Sequence, residues 1–170
     1  YRNSVLWGGK MNLSYKLGDF HKLSLKNLYN RAADDEVVQL RGNCYDAGNE
    51  QNNTGLRFVS RASYSGQLIG EHAFPRLAGL QWDWRASYSL SERDEPDYRR
   101  VIYSRNIDSP DDPFVANLSY VPNPASGGRF FAKLHDDNKG WASDFSLQVA
   151  QTKIKMGGAF NRVDRDFAAR

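Results

Sequence analysis

Apolar and polar residues alternate along the first stretch of the chain. From Val5 to Leu17 every odd position is apolar, aromatic or glycine, whereas the even positions from Gly8 onward are Gly, Lys, Asn or Ser. A period of two is that of a β-strand with one apolar face. Gly18-Asp19 is a two-residue turn signal, and the alternation resumes at Leu23. The sequence therefore predicts a β-hairpin at the start of the chain.

The same alternation returns in four later stretches. They run from Leu56 to Glu71, from Leu80 to Ser91, from Trp141 to Val149 and from Ile154 to Val163. With the first hairpin they predict an all-β, antiparallel meander of about six long strands. Runs of this length exceed the ~5 to 6 residues usual for strands of globular sheets.

The stretch from Leu80 to Ser91 has the most regular alternation. We predict that its apolar members share one face, pointing outward, because a slip of one residue would exchange the two faces. These members are Leu80, Trp82, Trp84, Ala86, Tyr88 and Leu90. The intervening Gln81, Asp83, Arg85, Ser87 and Ser89 are expected on the concave side.

Two polar stretches separate the alternating segments. Residues 30–53 and 92–139 lack a clear period, and the second contains five of the six prolines, so both are predicted as long loops, with a short strand near Phe130 to Leu134. The other connections, at Gly18, Pro75 and Gln151, are short. Outer-membrane barrels separate short periplasmic turns from long extracellular loops in this way. The pattern thus favours part of a transmembrane β-barrel.

Composition narrows the alternatives. Hydrophobic residues make up 40% of the chain and mean hydropathy is -0.69, with no run of eighteen apolar residues, so a helical membrane span is excluded. Alternating strands can cross a bilayer at this hydropathy, because only one face meets lipid. The net charge of +3 is too small to indicate a nucleic-acid partner. Cys44 is the only cysteine, which excludes an internal disulfide and a cysteine-based zinc site.

Several segments resemble the barrel of TonB-dependent outer-membrane receptors. They are Leu23–Arg31, Tyr64–His72, Leu80–Ser89, Arg93–Asp97 and Asp164–Arg170. The resemblance implies a barrel of twenty-two strands with a plug domain, located in the bacterial outer membrane and coupled to the TonB complex through that plug. On this interpretation residues 1–170 form a partial barrel domain whose plug and remaining strands lie outside the chain. Its partners would be the lipid bilayer, those missing parts and an unidentified small-molecule ligand.

No residue pattern predicts an enzyme or a cofactor. His21, His72 and His135 lack the spacing of metal ligands, and nothing resembles a catalytic triad. Asp136–Gly140 and Asp108–Asp112 are rich enough in oxygen to hold calcium, although neither has the full calcium-loop spacing, and solvated turns are the alternative. Cys44, in the first predicted loop, is either a reactive thiol or an ordinary loop residue.

A group of arginines and tyrosines supplies the candidate ligand contacts. Four arginines fall at inward positions of neighbouring strands, and four further residues follow in the second predicted loop, where they could close over a ligand. The candidates are Arg57, Arg61, Arg85, Arg93, Tyr98, Arg99, Arg100 and Tyr103. Arginines could guide an anionic or hydroxyl-rich ligand. Charged residues that merely line a barrel and pack against plug or water are the alternative.

Three functions remain open from the sequence. The first is a section of an importer that binds a scarce nutrient, such as a siderophore or saccharide, and carries it across the outer membrane. The second is another barrel or an adhesin whose loops bind a surface partner. The third is a soluble β-sandwich that binds carbohydrate, in which Trp82 and Trp84 would point into a core.

Overall fold

The computed structural model describes residues 1–119, 126–149 and 151–170, and these residues are almost entirely β-structure. The strands are β1 (Arg2–Leu17), β2 (His21–Cys44), β3 (Asn49–Phe74), β4 (Leu80–Asn106), β5 (Val115–Ala116), β6 (Gly128–Val149) and β7 (Thr152–Ala169). A single 3-10 turn, Tyr45–Ala47, joins β2 to β3. Among the described residues there is no helix that could cross a membrane.

All the strands belong to one antiparallel sheet. Its order is β1-β2-β3-β4-β6-β7, with the two-residue β5 pairing alongside the outer part of β4. Each long strand therefore pairs with the next long strand along the chain, and the predicted all-β meander of six long strands is confirmed. We call the end of the sheet that carries Gly18 and Pro75 the turn end, and the opposite end the loop end.

The first predicted long loop is wrong. Residues 30–53 are not irregular: β2 continues to Cys44, β3 begins at Asn49, and the two pair without interruption between them. Ion pairs replace apolar contacts in this part of the hairpin, as between Arg61 and Asp34, 2.7 Å apart. A search for alternating apolar residues misses strands that are held together in this way.

The second predicted loop is largely wrong for the same reason. β4 continues to Asn106 and β6 begins at Gly128, so the connection covers only residues 107–127. The short strand expected near Phe130 to Leu134 is the outer part of β6. Pro122 and Pro124, two of the prolines that favoured a loop, lie outside the described residues. Ala150, in the predicted tight connection before Gln151, also lies outside them.

The prediction that the side chains of β4 alternate between two faces is confirmed. Trp82 pairs with Phe145 and their rings stack at 5.9 Å, while Trp84 stacks on Trp141 at 5.3 Å. Residues directly opposite each other on neighbouring strands share a face. We call the face with these rings the apolar face and the other the polar face. All four tryptophans lie on the apolar face.

Charge is absent from the inner part of the apolar face. On this face the outer boundary is set by Arg31 in β2, Glu92 in β4, Lys139 in β6 and Arg162 in β7, and in β1 and β3 by Trp7 and Ala62, which pair with Arg31. On the turn side of these positions, the alternation and register assign every described Asp, Glu, Lys and Arg of the six long strands to the polar face. These residues are Lys10, Lys16, Lys22, Lys26, Glu71, Asp83, Arg85, Asp144, Lys153 and Lys155. We call this charge-free region the apolar band.

The outer boundary of the apolar band crosses the sheet obliquely. The first charged residues on this face of β2 and β4 are Arg31 and Glu92, which lie level because both pair with Ala62. In β6 the first is Lys139, which pairs with Tyr88, and it is therefore four residues closer to the turn end. The first in β7, Arg162, pairs with Lys139 and lies at this lower level too.

The turn end of the sheet also shifts along the ladder, by two residues from each hairpin to the next. The first hairpin closes at the pair Leu17 and His21, and the second at Phe74 and Leu80, two residues further along the ladder. The third closes at Val149 and Thr152, two residues further again. The turn end therefore shifts by about one residue per strand. The outer boundary shifts by the same total of four residues between β2 and β7, in a single step between β4 and β6.

The sheet has almost no core of its own. Val59 and Ile102 are the only buried hydrophobic residues among those described, and no second layer packs on the apolar face there. Large side chains such as Leu13 and Met156 are more than half exposed. Soluble monomers rarely expose contiguous apolar patches of more than a few hundred Å². The apolar face therefore requires a cover.

Gly70 supports the aromatic packing on this face, and its replacement tests that packing. The Trp84 ring lies directly over Gly70, where a Cβ atom would collide with it. We expect Gly70→Ala to displace the ring and to lower the free energy of unfolding by about 1 to 3 kcal/mol, measured by urea titration of the folded protein. Gly42→Ala, in β2 with no atom near the added methyl group, should change it by less than about 0.5 kcal/mol. Equal effects would contradict this packing.

Candidate functional site

A large open recess lies on the polar face, on the loop side of the apolar band. Its volume is about 1370 Å³, and side chains of β2, β3, β4, β6 and β7 line it. That volume exceeds the ~300 to 1,000 Å³ typical of small-molecule sites, so the recess can receive an entire ligand. Part of its rim comes from Ser126 and Gly127, at the end of the 107–127 connection.

A buried carboxylate forms the floor of the recess. Glu95 is only 3% exposed and lies between Arg93, two residues before it in β4, and Arg57 in the neighbouring strand β3. Its Oε1 accepts a hydrogen bond from Arg57 Nε at 2.8 Å, and its Oε2 accepts one from Arg93 Nη2 at 2.9 Å. The adjacent Glu95 carboxylate raises the pKa of the Arg57 guanidinium. One negative charge thus holds two positive charges at fixed positions.

An irregularity in β4 shapes this floor. The register of β4 shifts between Glu95 and Tyr98 against β6, and opposite the same segment against β3. The bulge contains Pro96, which has no N–H to donate to a ladder and is confined to such positions within sheets. One extra residue reverses the alternation beyond it. Glu95 and Tyr98 therefore both reach the recess, three positions apart.

The bulge divides the candidate residues that were predicted in the second loop. Tyr98 and Arg100 line the recess, where Arg100 donates two hydrogen bonds to the Ser126 carbonyl oxygen at 3.1 and 2.9 Å. Arg99 and Tyr103 alternate with them and fall on the opposite face. Arg99 pairs there with Asp97, whose pKa is lowered by the Arg129 and Arg99 guanidiniums. The structure therefore does not bring the four candidates together: Arg99 and Tyr103 do not line the recess.

The four arginines predicted at inward positions do share the polar face, but only two meet. Arg57 and Arg93 line the recess. Arg61 lies opposite Arg93 in the register of β3 and β4, but its guanidinium binds Asp34 and not Glu95. Arg85 lies on the polar face nearer the turn end, at the level of the apolar band. It pairs with Ile69 of β3 and Ala142 of β6.

The apolar walls of the recess were missed by the sequence analysis. They are formed by Val38, Leu40, Ile102, Phe130 and Phe167. Three of these fall in stretches predicted as loops, so their faces were not assigned. The signal available was the pair Val38 and Leu40, which keeps a period of two after Glu36. Within the recess the Asn53 side-chain oxygen is buried and has no hydrogen-bond partner.

A cluster of charges ties the loop end together. Glu50 at the start of β3 accepts hydrogen bonds from Arg41 and Arg105, at 3.1 and 2.7 Å. These guanidiniums, Arg105 first, lower the pKa of Glu50. The Phe114 ring lies 4.7 Å below the Arg105 guanidinium, a cation–π distance. The 107–127 connection is thereby anchored to β4 on the face opposite to the recess.

Two of the three histidines meet at the turn end. His72 Nε2 accepts a hydrogen bond from Trp84 Nε1 at 2.9 Å, and its Nδ1 lies 3.1 Å from His21 Nδ1. In a neutral His72 the proton is then on Nδ1 and points to His21. This arrangement completes the hydrogen bonding of the aromatic cluster. Within the described ranges, no group of three or more possible ligands is placed to hold a metal ion.

The third histidine belongs to a charged chain on the loop side of the apolar band. His135 contacts Glu92 and Asp137, both at 3.2 Å, and Tyr88 donates to Asp137 at 2.6 Å. Asp136–Gly140 is therefore neither a calcium loop nor a solvated turn, because it lies within β6 and its carboxylates are paired. Asp108–Asp112 does lie in a turn. Cys44 ends β2, where it is half-buried with a free thiol.

Comparison with known proteins adds no assignment. A scan of the sequence against protein-family models found no match, and a search of the curated proteins found none.

Proposed function

We propose that this chain is a membrane-spanning section of an outer-membrane β-barrel of the TonB-dependent receptor class, which imports a small nutrient. The observation that carries the proposal is the apolar band. The strand segments that form the band carry no Asp, Glu, Lys or Arg on the apolar face and ten of them on the polar face. In a transmembrane barrel lipid-facing and lumen-facing positions alternate, and arginine or lysine on the lipid face is costly. Lipid is thus the cover that the apolar face requires.

The slope of the band supports the same proposal. A shift of one residue, about 3.3 Å, for each strand spacing of about 4.8 Å corresponds to a strand tilt of about 35°. Strands of outer-membrane barrels are tilted by about 35 to 45°. Along β4 the band extends ten residues, from Leu80 to Leu90, which at this tilt is a height of about 27 Å. The expected height of the apolar zone is about 25 Å.

Aromatic rings border both edges of the band. Trp82 and Phe145 stack near the turn end, and Tyr64 lies 6.1 Å from Tyr88 near the outer boundary. Aromatic girdles at both membrane interfaces are typical of these barrels. The short turns would then face the periplasm, and the strands beyond the band would project from the cell surface.

The two outer strands indicate what else the barrel needs. β1 and β7 each leave one edge unpaired, and unpaired backbone groups in hydrocarbon cost several kcal/mol each. In the proposal these edges pair with the remaining strands of a longer protein, which also supplies the plug and its contact with TonB. No chemical step is assigned to this chain, which binds and passes its ligand.

The recess supports the importing role. It opens on the polar face, which is the lumen side in this proposal, and lies on the outer side of the band. A ligand arriving from outside would meet it before reaching the membrane level. An adhesin would instead use the tip of the hairpin around Tyr45–Ala47, for which the described residues show no comparable recess.

Membrane insertion can be tested with one pair of neighbouring positions. Ala86 lies in the middle of the band and Ser87 faces the opposite side. We expect Ala86→Arg to destabilise the barrel by about 2 to 4 kcal/mol and to reduce its amount in the outer membrane, as measured by immunoblot and heat-modifiable gel mobility. Ser87→Arg should assemble normally. Equal tolerance of both variants would contradict a lipid-facing band.

Import can be tested with another pair of neighbours that the bulge directs to opposite faces. We expect Arg100→Gln to slow the uptake of the ligand, because Arg100 lines the recess, and Arg99→Gln to leave uptake unchanged. Uptake is measured as the loss from the growth medium of those constituents that cells with the protein remove and cells without it do not. The variants are compared at equal amounts of protein in the outer membrane. If both variants deplete the medium as fast as the wild type does, the recess takes no part in uptake and the importing role proposed for it is contradicted.

A further inference from the structure

The chemistry of the recess points to one class of ligand. We infer that it binds an organic anion with an apolar body, whose carboxylate-sized head contacts Arg57 and Arg93. This inference rests on the proposed function, since it names the ligand of the same recess.

The charge of the recess is positive on balance. Five arginines and two glutamates line it among the described residues. On the floor Arg57 and Arg93 share the Glu95 carboxylate, and Glu36 lies directly opposite Arg57. The surplus of positive charge therefore comes from Arg100, Arg129 and Arg170, of which Arg129 is paired with Asp97. Among the described residues Arg100 is hydrogen-bonded to a carbonyl oxygen and not to a carboxylate.

Donors remain available at this floor. A guanidinium has five N–H donors in a planar fork that matches a carboxylate. Glu95 accepts one hydrogen bond from Arg57 and one from Arg93, whose side chains are 39% and 44% exposed. Both side chains line the recess, so a ligand in it can reach donors that Glu95 does not use. A second carboxylate could bind both guanidiniums without displacing the first.

The walls favour an apolar body over a hydroxyl-rich one. Val38 and Leu40 stand on one side, and Ile102, Phe130 and Phe167 on the others. A sugar would leave its hydroxyl groups against these side chains without partners, and each unsatisfied polar group costs free energy. An aromatic or aliphatic body instead buries surface at about 25 cal/mol per Å².

Glu95 acts in this arrangement as an internal counter-ion. It holds the two guanidiniums in place, and it also weakens their attraction for an incoming anion. Glu95→Gln keeps the shape of the side chain and removes the negative charge. The same variant should therefore strengthen anion binding, an outcome that a purely structural role for Glu95 would not produce.

The test uses a matched pair of probes that differ only in charge. 2-Naphthoate carries a carboxylate, and 2-naphthamide has the same ring without the charge. Binding of each would be measured by isothermal titration calorimetry on the full-length protein purified in non-ionic detergent, with detergent alone as background. We expect naphthoate to bind at least about tenfold more tightly than the amide, a difference of about 1.4 kcal/mol.

Four variants test which side chains bind the anion. Arg93→Gln should lower naphthoate affinity about tenfold and leave the amide almost unchanged, Arg93→Lys should restore part of the loss, and Glu95→Gln should raise naphthoate affinity several-fold. Arg85→Gln, which removes a polar-face arginine outside the recess, is the control and should change neither probe. Equal affinity for the two probes, or weaker naphthoate binding in Glu95→Gln, would overturn the inference.

Failure of this inference and failure of the proposed function are separable. If the protein assembles in the outer membrane and Ala86→Arg prevents assembly, equal probe affinities overturn only the ligand class. If Ala86→Arg assembles normally while the probes still differ, the membrane proposal fails and the anion site stands.

Discussion

The continuous antiparallel hydrogen-bond ladder is the interaction on which the rest of this structure depends. Six strands of 16 to 27 residues pair along nearly their whole length, with register shifts only where β4 bulges. With Val59 and Ile102 as the only buried hydrophobic residues described, side-chain packing cannot hold the sheet together. Apart from the bulge in β4, the ladder satisfies the backbone donors and acceptors of the four inner strands, which is what hydrocarbon demands of a spanning segment.

The side-chain contacts that accompany this ladder differ between the two halves of the sheet. In the apolar band, aromatic and aliphatic side chains cover one face, and neighbouring rings stack across strands. Beyond the band, cross-strand ion pairs such as Arg61 with Asp34 and Arg105 with Glu50 take over. Ion pairs at exposed positions contribute little each, about 0 to 1 kcal/mol. Their arrangement in rows nevertheless keeps the outer strands in register and so shapes the recess.

The sequence predicted what depends on apolar alternation. Strand order, the turn after Leu17 and the two faces of β4 all followed from a period of two. It failed where charged pairs replace that period, and so the outer parts of β2 and β3 were predicted as a loop. The division between Arg99 and Arg100 was also missed, because the position of a bulge depends on strand pairing. Pro96 was the available signal, since proline inside a strand marks a bulge or an edge.

The recess illustrates why candidate residues cannot be grouped by sequence proximity alone. Arg57 and Arg93 are far apart in the chain and meet at Glu95, which no motif singled out. Arg99 is adjacent to Arg100 and faces the other way. Pairing between strands determines the first relation and the bulge determines the second.

The central claim, that lipid covers the apolar face, is tested most directly by quenching of Trp141 fluorescence. The signal of Trp141 is isolated as the difference between the wild-type protein and Trp141→Phe, both reconstituted in bilayers. The account predicts strong quenching by lipids brominated along their acyl chains and weak quenching by acrylamide in water, because Trp141 lies inside the band. Quenching by acrylamide alone would contradict it.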